Sequence, residues 1–245
     1  MKRRKLEMAP ILIYHTIDNY DEPRPAGVDC PPTLFADHMN WLHKNCRVIP
    51  LQELTEEYLT KGKTPPSDAA ALTFDDGYLD NFEKAYPVLR DLKLPATIFC
   101  VTKYLNSTWP ADDWGGIKKP MLGTDELKEM AASGISFGSH GHSHVELTTL
   151  SKEDVLAEMK TSRDKLEKLT GQTPLYISYP FGSFNDDVMT VAEEAGYKAG
   201  FTVWTKEPSH YSLNRLPIHR KDEGLRFQLK VKHYEWVKPI LASFR

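Results

Sequence analysis

No stretch of this 245-residue chain is long and apolar enough to cross a membrane; a helical span needs about 18–20 consecutive apolar residues. Cysteine is scarce. Cys30, Cys46 and Cys100 are odd in number and far apart, which argues against a disulfide framework or a cysteine-type zinc site and leans towards a reducing compartment. Basic excess is missing too: 31 Lys and Arg stand against 34 Asp and Glu, a formal net charge of −3. Without a polyanion-binding surface, nucleic acid is not an expected partner. Internal repeats and low-complexity tracts are absent. Met1-Lys-Arg-Arg-Lys has the charge of a secretory leader, but the apolar run after it is broken by Pro10 and ends at His15. A leader core needs about 7–15 apolar residues and a small-residue cleavage site, so the cytoplasm is the expected location.

What is present is an ordinary globular balance, 40% hydrophobic and 27% charged, enough to bury the core of one domain over 1–245. Short apolar runs alternate with amphipathic stretches. The runs Ile11–Tyr14, Arg47–Ile49, Ala70–Phe74, Ala96–Val101, Ile135–Gly138, Leu175–Tyr179, Ala199–Trp204 and Arg215–His219 read as strands buried on both faces of a parallel sheet. Helices are predicted over 33–45, 51–60, 79–93, 124–133, 151–170, 185–196 and 230–243. In the clearest, Val155, Met159, Leu166 and Leu169 keep a helical period. Ser151 is placed to cap its start and Gly171 to end it, and Thr124 is expected to cap the helix before it. The alternation predicts an α/β fold with a mainly parallel sheet that can close as a barrel. Two long loops, 18–32 and 102–123, each follow a strand. They should lie on the C-terminal rim, where barrels place active sites.

Three motifs carry chemistry. In Thr73-Phe74-Asp75-Asp76-Gly77 an apolar strand runs into two carboxylates and a glycine. Adjacent carboxylates repel, and a divalent cation removes that cost. Ser139-His140-Gly141-His142-Ser143-His144 places three histidines within five residues after another strand. Whether the segment is helical or extended, His140 and His144 can ligate one ion. With one aspartate they make a two-histidine, one-carboxylate site that leaves positions open. Tyr179-Pro180-Phe181-Gly182 is a turn at a third strand end and gains weight from its company.

The order of these motifs resembles the polysaccharide deacetylase family, which includes chitin and peptidoglycan deacetylases. The resemblance runs from about 70 to 205, with core motifs over 70–220. Ile13-Tyr14-His15 and Val48-Ile49-Pro50-Leu51 resemble the branch associated with bacterial exopolysaccharides. It implies a distorted (β/α) barrel of about seven parallel strands. It also implies a divalent metal held by Asp76, His140 and His144, with zinc the first choice and cobalt, nickel or manganese compatible. Asp75 matches the catalytic base and the Phe181 N–H the oxyanion donor; His142 matches no ligand. The implied reaction removes N-acetyl groups from an acetylated glycan and releases acetate.

Two positions depart from the pattern. Ser178 stands where many members carry an arginine that steers the base, and the late Leu-x-His segment is replaced by Leu216-Pro217-Ile218-His219. His219 is the expected acid and His15 a second candidate at the rim. Tyr179, Pro180, Trp204 and His15 are expected to meet substrate, and Trp109 and Trp114 could stack on sugars. A hydrolase of a non-sugar amide and a non-catalytic carbohydrate-binding relative are the rival readings.

Overall fold

A computed structural model describes residues 9–19, 28–110 and 118–233. Trp114 and the expected helical residues 234–243 lie outside them.

Ten strands are present among the described residues: β1 Ile11–Tyr14, β2 Arg47–Val48, β3 Ala69–Phe74, β4 Thr97–Cys100, β5 Thr108–Trp109, β6 Lys119–Pro120, β7 Ser136–Ser139, β8 Tyr176–Ser178, β9 Ala199–Phe201 and β10 Leu216–Pro217. The helices are α1 Pro32–Asn45, α2 Leu51–Glu53, α3 Tyr86–Asp91, α4 Thr124–Ala132, α5 Lys152–Thr170, α6 Asp186–Glu194 and α7 Gly224–Lys232. Seven parallel strands follow one another in the order β10-β1-β3-β4-β7-β8-β9, with β2 paired to the start of β3. The sheet curls until one segment touches both of its ends. Leu213 exchanges backbone hydrogen bonds with β9, and Leu216 pairs with Leu12 of β1. The distorted α/β barrel expected from the sequence is therefore the fold observed.

The strands form where the apolar runs stand because each is covered on both faces: β1, β3, β4, β8 and β9 are buried throughout. The observed strands are mostly shorter than the runs, since the residues at their C-terminal ends leave the sheet to build the rim. Helix α5 carries the expected caps: Ser151 Oγ accepts the Asp154 N–H, and Gly171 ends the helix at φ 71°, a left-handed conformation that suits glycine. Thr124 does not cap α4. Gly123 holds that position, and the Thr124 N–H donates instead to Asn106 Oδ1 at 2.9 Å.

Two predicted helices are split. Wide π-type turns cover Leu54–Thr60 after α2 and Asn81–Ala85 before α3. Pro87 lies in the first turn of α3 and has no N–H for the preceding ladder, which accounts for the second break. The last helix begins earlier than expected, at Gly224. The small β5–β6 hairpin lies in the long loop after β4 and was not foreseen.

Candidate active site

The C-terminal strand ends gather the chemistry-bearing residues. Tyr14 of β1 pairs with Phe74 of β3, and the Asp75 N–H donates to the Tyr14 carbonyl at 2.9 Å. That register sets His15 level with Asp75. Strand β7 delivers His140, and the Ser178 carbonyl at the end of β8 accepts a hydrogen bond from His140 Nδ1 at 2.8 Å. Fixing that nitrogen as the donor leaves Nε2 as the free base, the usual arrangement of a ligating histidine. Nε2 then faces Asp76 Oδ1 at 3.4 Å, and His144 Nε2 faces the same oxygen at 3.6 Å. One ligand atom from each of Asp76, His140 and His144 lies within 4.8 Å of the others. Two imidazole nitrogens and a carboxylate oxygen around one gap fit a divalent cation.

The backbone is strained at this point. Five described non-glycine residues have positive φ, and three belong to the site: Asp76 at 72°, His144 at 58° and Phe181 at 58°. Left-handed backbone costs an L-residue about 1–2 kcal/mol and concentrates at functional sites. The turn after Asp76 is tight as well. Gly77 has φ 80°, and a Cβ there would lie 2.9 Å from Cys100 Sγ.

Asp75 is held differently from its neighbour. Arg215 Nη1 and Nη2 donate to its two oxygens at 2.7 Å each, and Ser178 Oγ donates to Oδ2 at 2.9 Å. Arg215 is 1% exposed and Asp75 2%. Burial opposes the charge on Asp75, but Arg215, then His140 and His15, outweigh it and hold the carboxyl well below the usual range. The steering arginine missing from position 178 thus reaches the aspartate from residue 215. Arg215 Nη2 also donates to Ser178 Oγ at 2.7 Å, so the serine occupies the vacated place. Sequence reasoning missed this residue. Its one signal was a charged residue opening an otherwise apolar run.

The histidines divide. His15 is half-buried; burial lowers its pKa, opposed by Asp76 and Asp75, with Arg215 and His140 as further charges. It therefore sits within the field of the site. Its backbone is pinned by Asn81 Nδ2, which donates to the His15 carbonyl at 2.7 Å. The next two residues are tied to Asp80: Thr16 Oγ1 at 2.5 Å and the Ile17 N–H at 3.1 Å. Buried Lys119, from the second long loop, completes this clasp at 2.7 Å from Asp80. His219 turns elsewhere. Its Nδ1 lies 3.5 Å from Asp222, and its ionisation answers to burial, Asp222, Lys230, Arg226 and Lys221. His142 bonds to Thr102 Oγ1 at 2.9 Å, away from the ligand set.

Four expected substrate contacts are also sorted. Tyr179 is core: it is 1% exposed, stacks on Phe184 and donates its hydroxyl to the Tyr211 carbonyl at 2.8 Å. Pro180 is buried beside it. Trp109 is buried against the edge of His144, ring centroids 4.8 Å apart. Trp204 stays partly exposed beyond the end of β9. Phe181 is 66% exposed, its ring 4.6 Å from that of His144.

A family model described as polysaccharide deacetylase matches residues 62–200. This chain belongs to the polysaccharide deacetylase family. It is 32% identical over 231 residues to YxkH of Bacillus subtilis (strain 168), a protein named as a polysaccharide deacetylase, covering 93% of this chain and 77% of that one. It is 31% identical over 185 residues to the poly-beta-1,6-N-acetyl-D-glucosamine N-deacetylase of Staphylococcus aureus (strain MSSA476), covering 70% of this chain and 60% of that protein. The fold matches the Streptococcus pyogenes deacetylase PplD, solved in complex with acetate, at a TM-score of 0.76 and 28% identity, over 91% of this chain and 97% of that one. Within this family member, no described helix is long and apolar enough to cross a membrane.

Proposed function

We propose that this chain is a metal-dependent hydrolase that removes N-acetyl groups from an acetylated amino-sugar polymer. A β-1,6-linked N-acetylglucosamine chain is the first candidate, on the activity for which the staphylococcal relative is named. One observation carries the reading: an Asp76–His140–His144 donor set stands beside an arginine-clamped Asp75 on one strand-end rim.

A divalent ion held by Asp76, His140 and His144 would supply Lewis-acid chemistry, activating water and polarising the amide carbonyl. Asp75 serves as general base. An ionised carboxylate accepts at about four lone-pair positions, and Arg215 and Ser178 take three. One position remains for the proton of the attacking water. The clamp keeps Asp75 ionised and oriented, at some cost in basicity. The Phe181 N–H, on its left-handed turn against His144, donates to the developing oxyanion. One such donor contributes about 3–4 kcal/mol. His15, level with Asp75, protonates the departing amine. His219 is committed to Asp222 and takes no part. Phe181 and Trp204 offer partly exposed apolar surface to a sugar ring.

The test is metal analysis of the purified chain with acetate release from β-1,6-linked N-acetylglucosamine oligomers. We expect bound divalent metal, release that stops on chelation, and activity lost in His15→Ala but kept in His219→Ala. Full activity after exhaustive chelation would refute the metal dependence. Release from simple amides but from no acetylated sugar would refute the substrate class.

A further inference from the structure

The segment from His140 to His144 must turn sharply twice, with Gly141 at φ 74° and His144 at φ 58°. Neither turn is held by a regular ladder. On one side the stretch after β4 holds the segment, with the His140 N–H donating to the Cys100 carbonyl at 3.0 Å and the Lys103 N–H to the His142 carbonyl at 2.8 Å. On the other side a second set of hydrogen bonds comes from one helix, α5. Glu158 Oε2 accepts the N–H groups of His142 and Ser143, both at 2.8 Å, and Oε1 accepts the Ser143 hydroxyl at 2.6 Å. Successive N–H groups converging on one anion form a backbone nest; here the anion is a side chain of the protein itself. One turn further on, buried Ser162 accepts from Ser139 Oγ at 2.7 Å, and Ser139 Oγ accepts the Gly141 N–H at 3.1 Å. Lys165 Nζ then donates to the Thr102 carbonyl at 2.7 Å, and the Thr102 hydroxyl meets His142 Nδ1.

Residues 158, 162 and 165 follow the i, i+4, i+7 spacing of one helix stripe. It runs alongside the apolar face of Val155, Met159 and Leu166 that buries α5 against the barrel. Apolar packing therefore fixes the height and rotation of α5, and the polar stripe transmits that placement to the loop. In the contacts above, the stripe meets the backbone, the serines and His142.

We propose that the polar stripe of α5 is a template that preorganises the metal-ligand loop, with Glu158 as the positioning residue that sets cation affinity. This rests on the metal reading above. A carboxylate suits the three donors because its hydrogen bonds are charge-assisted and roughly twice as strong as neutral ones. The isosteric amide of Glu158→Gln keeps one oxygen for the two N–H groups but makes those bonds neutral and reverses the bond to the Ser143 hydroxyl. Removing such outer support of a metal ligand typically lowers metal affinity by about 10–100-fold.

The experiment uses the full chain, stripped by chelator and titrated with Co²⁺, reading affinity by competition and the intensity of the visible d–d bands. Wild type, Glu158→Gln, Ser162→Ala and the surface control Lys160→Ala are compared, with thermal melting of each metal-free protein. We expect Glu158→Gln to bind Co²⁺ about 10–100-fold more weakly, with altered bands and a metal-free melting temperature near wild type. Lys160→Ala should match wild type. Equal affinity and identical bands in Glu158→Gln and wild type would overturn the proposal. If Glu158→Gln does not fold, Ser162→Ala decides: weaker binding with altered bands supports the template, and unchanged binding overturns it. A wild type that binds no Co²⁺ would take the metal reading down and this inference with it.

Discussion

Two buried aspartates, Asp75 and Asp222, each gather cations and histidines, yet only one of them makes a site. Around Asp222 the contacts close. Lys230 Nζ lies 2.8 Å from its carboxylate, the His219 N–H donates at 3.0 Å, and Arg226 covers the other oxygen at 3.3 Å. The Asp222 carbonyl accepts from His38 Nε2 at 2.6 Å, and the His38 ring stacks 3.8 Å from Phe227. The result ties α7 to α1. Around Asp75 the arginine fork closes one side only. On the other side Asp76, His140 and His144 face each other at 3.4–3.6 Å, too far apart for good hydrogen bonds and suited to a shared cation. The backbone strain follows the same division: Asp76, His144 and Phe181 have positive φ, whereas among the described residues near Asp222 Gly224 alone does. The same residue types act as a clasp where their partners saturate them, and face one another across a gap where they do not.

The comparison can be broken most sharply at Asp75. Asp75→Asn leaves buried Arg215 without its counter-charge and so costs stability as well, but per folded molecule it should keep the metal and lower kcat/KM for acetate release by about 10²–10⁴-fold, the scale of general-base catalysis. Near wild-type turnover would end the base assignment. Asp222→Asn should lower stability alone. Breaking a buried ion pair costs about 3–5 kcal/mol, so denaturant unfolding should report a large loss while kcat/KM per folded molecule stays at the wild-type value.

His38 gives the Asp222 clasp a pH signature. Burial pushes its pKa down to about 4, against the hydrogen bond to the Asp222 carbonyl and the charges of Asp222 and Asp37. Its folded pKa is depressed, so between about pH 4 and 6.5 the unfolded chain binds more protons and stability rises with pH. The contribution is full above about 6.5 and lost as pH falls towards 4. That shift corresponds to about 3 kcal/mol at most. Unfolding midpoints from pH 4 to 7 should show this acid limb, and His38→Gln should flatten it.

The arginine relay is the next test. Arg215→Ser should lower kcat/KM by roughly 10²-fold, the scale of a misplaced catalytic group. Adding Ser178→Arg should recover part of that loss, because the two side chains meet at the same carboxylate. If the double variant is no better than Arg215→Ser, the relocated-arginine reading fails. The smallest effect belongs to His219→Ala. Acetate release should be unchanged, with at most a modest loss of stability from the Asp222 clasp.

Much of this was legible in the sequence because it is local. A buried strand running into Asp75-Asp76-Gly77, and another running into His140 and His144, place their side chains at strand ends whatever the rest of the chain does. The α5 caps are local too. Arg215 could not be read in the same way: its partner is 140 residues away, and nothing around it marks a salt bridge rather than a surface charge. Tyr179 opens a motif turn and looked available to substrate. The close approach of β9 buries it, since a Cβ at Gly200 would lie 2.3 Å from its hydroxyl.

His15 and His219 show where the division falls. Both follow short apolar runs, and by sequence either could serve as the acid. The pairing of β1 with β3 sets His15 level with Asp75. β10 lies one strand further out, and a turn closes His219 onto Asp222. The sequence by itself determined the strands, the motifs that bring Asp76, His140 and His144 together and the family, because hydrophobic pattern and turn residues act over a few positions. Only the tertiary structure decided which arginine, which histidine and which aromatic ring meet at the rim, because strand order and register are set by packing across the whole barrel.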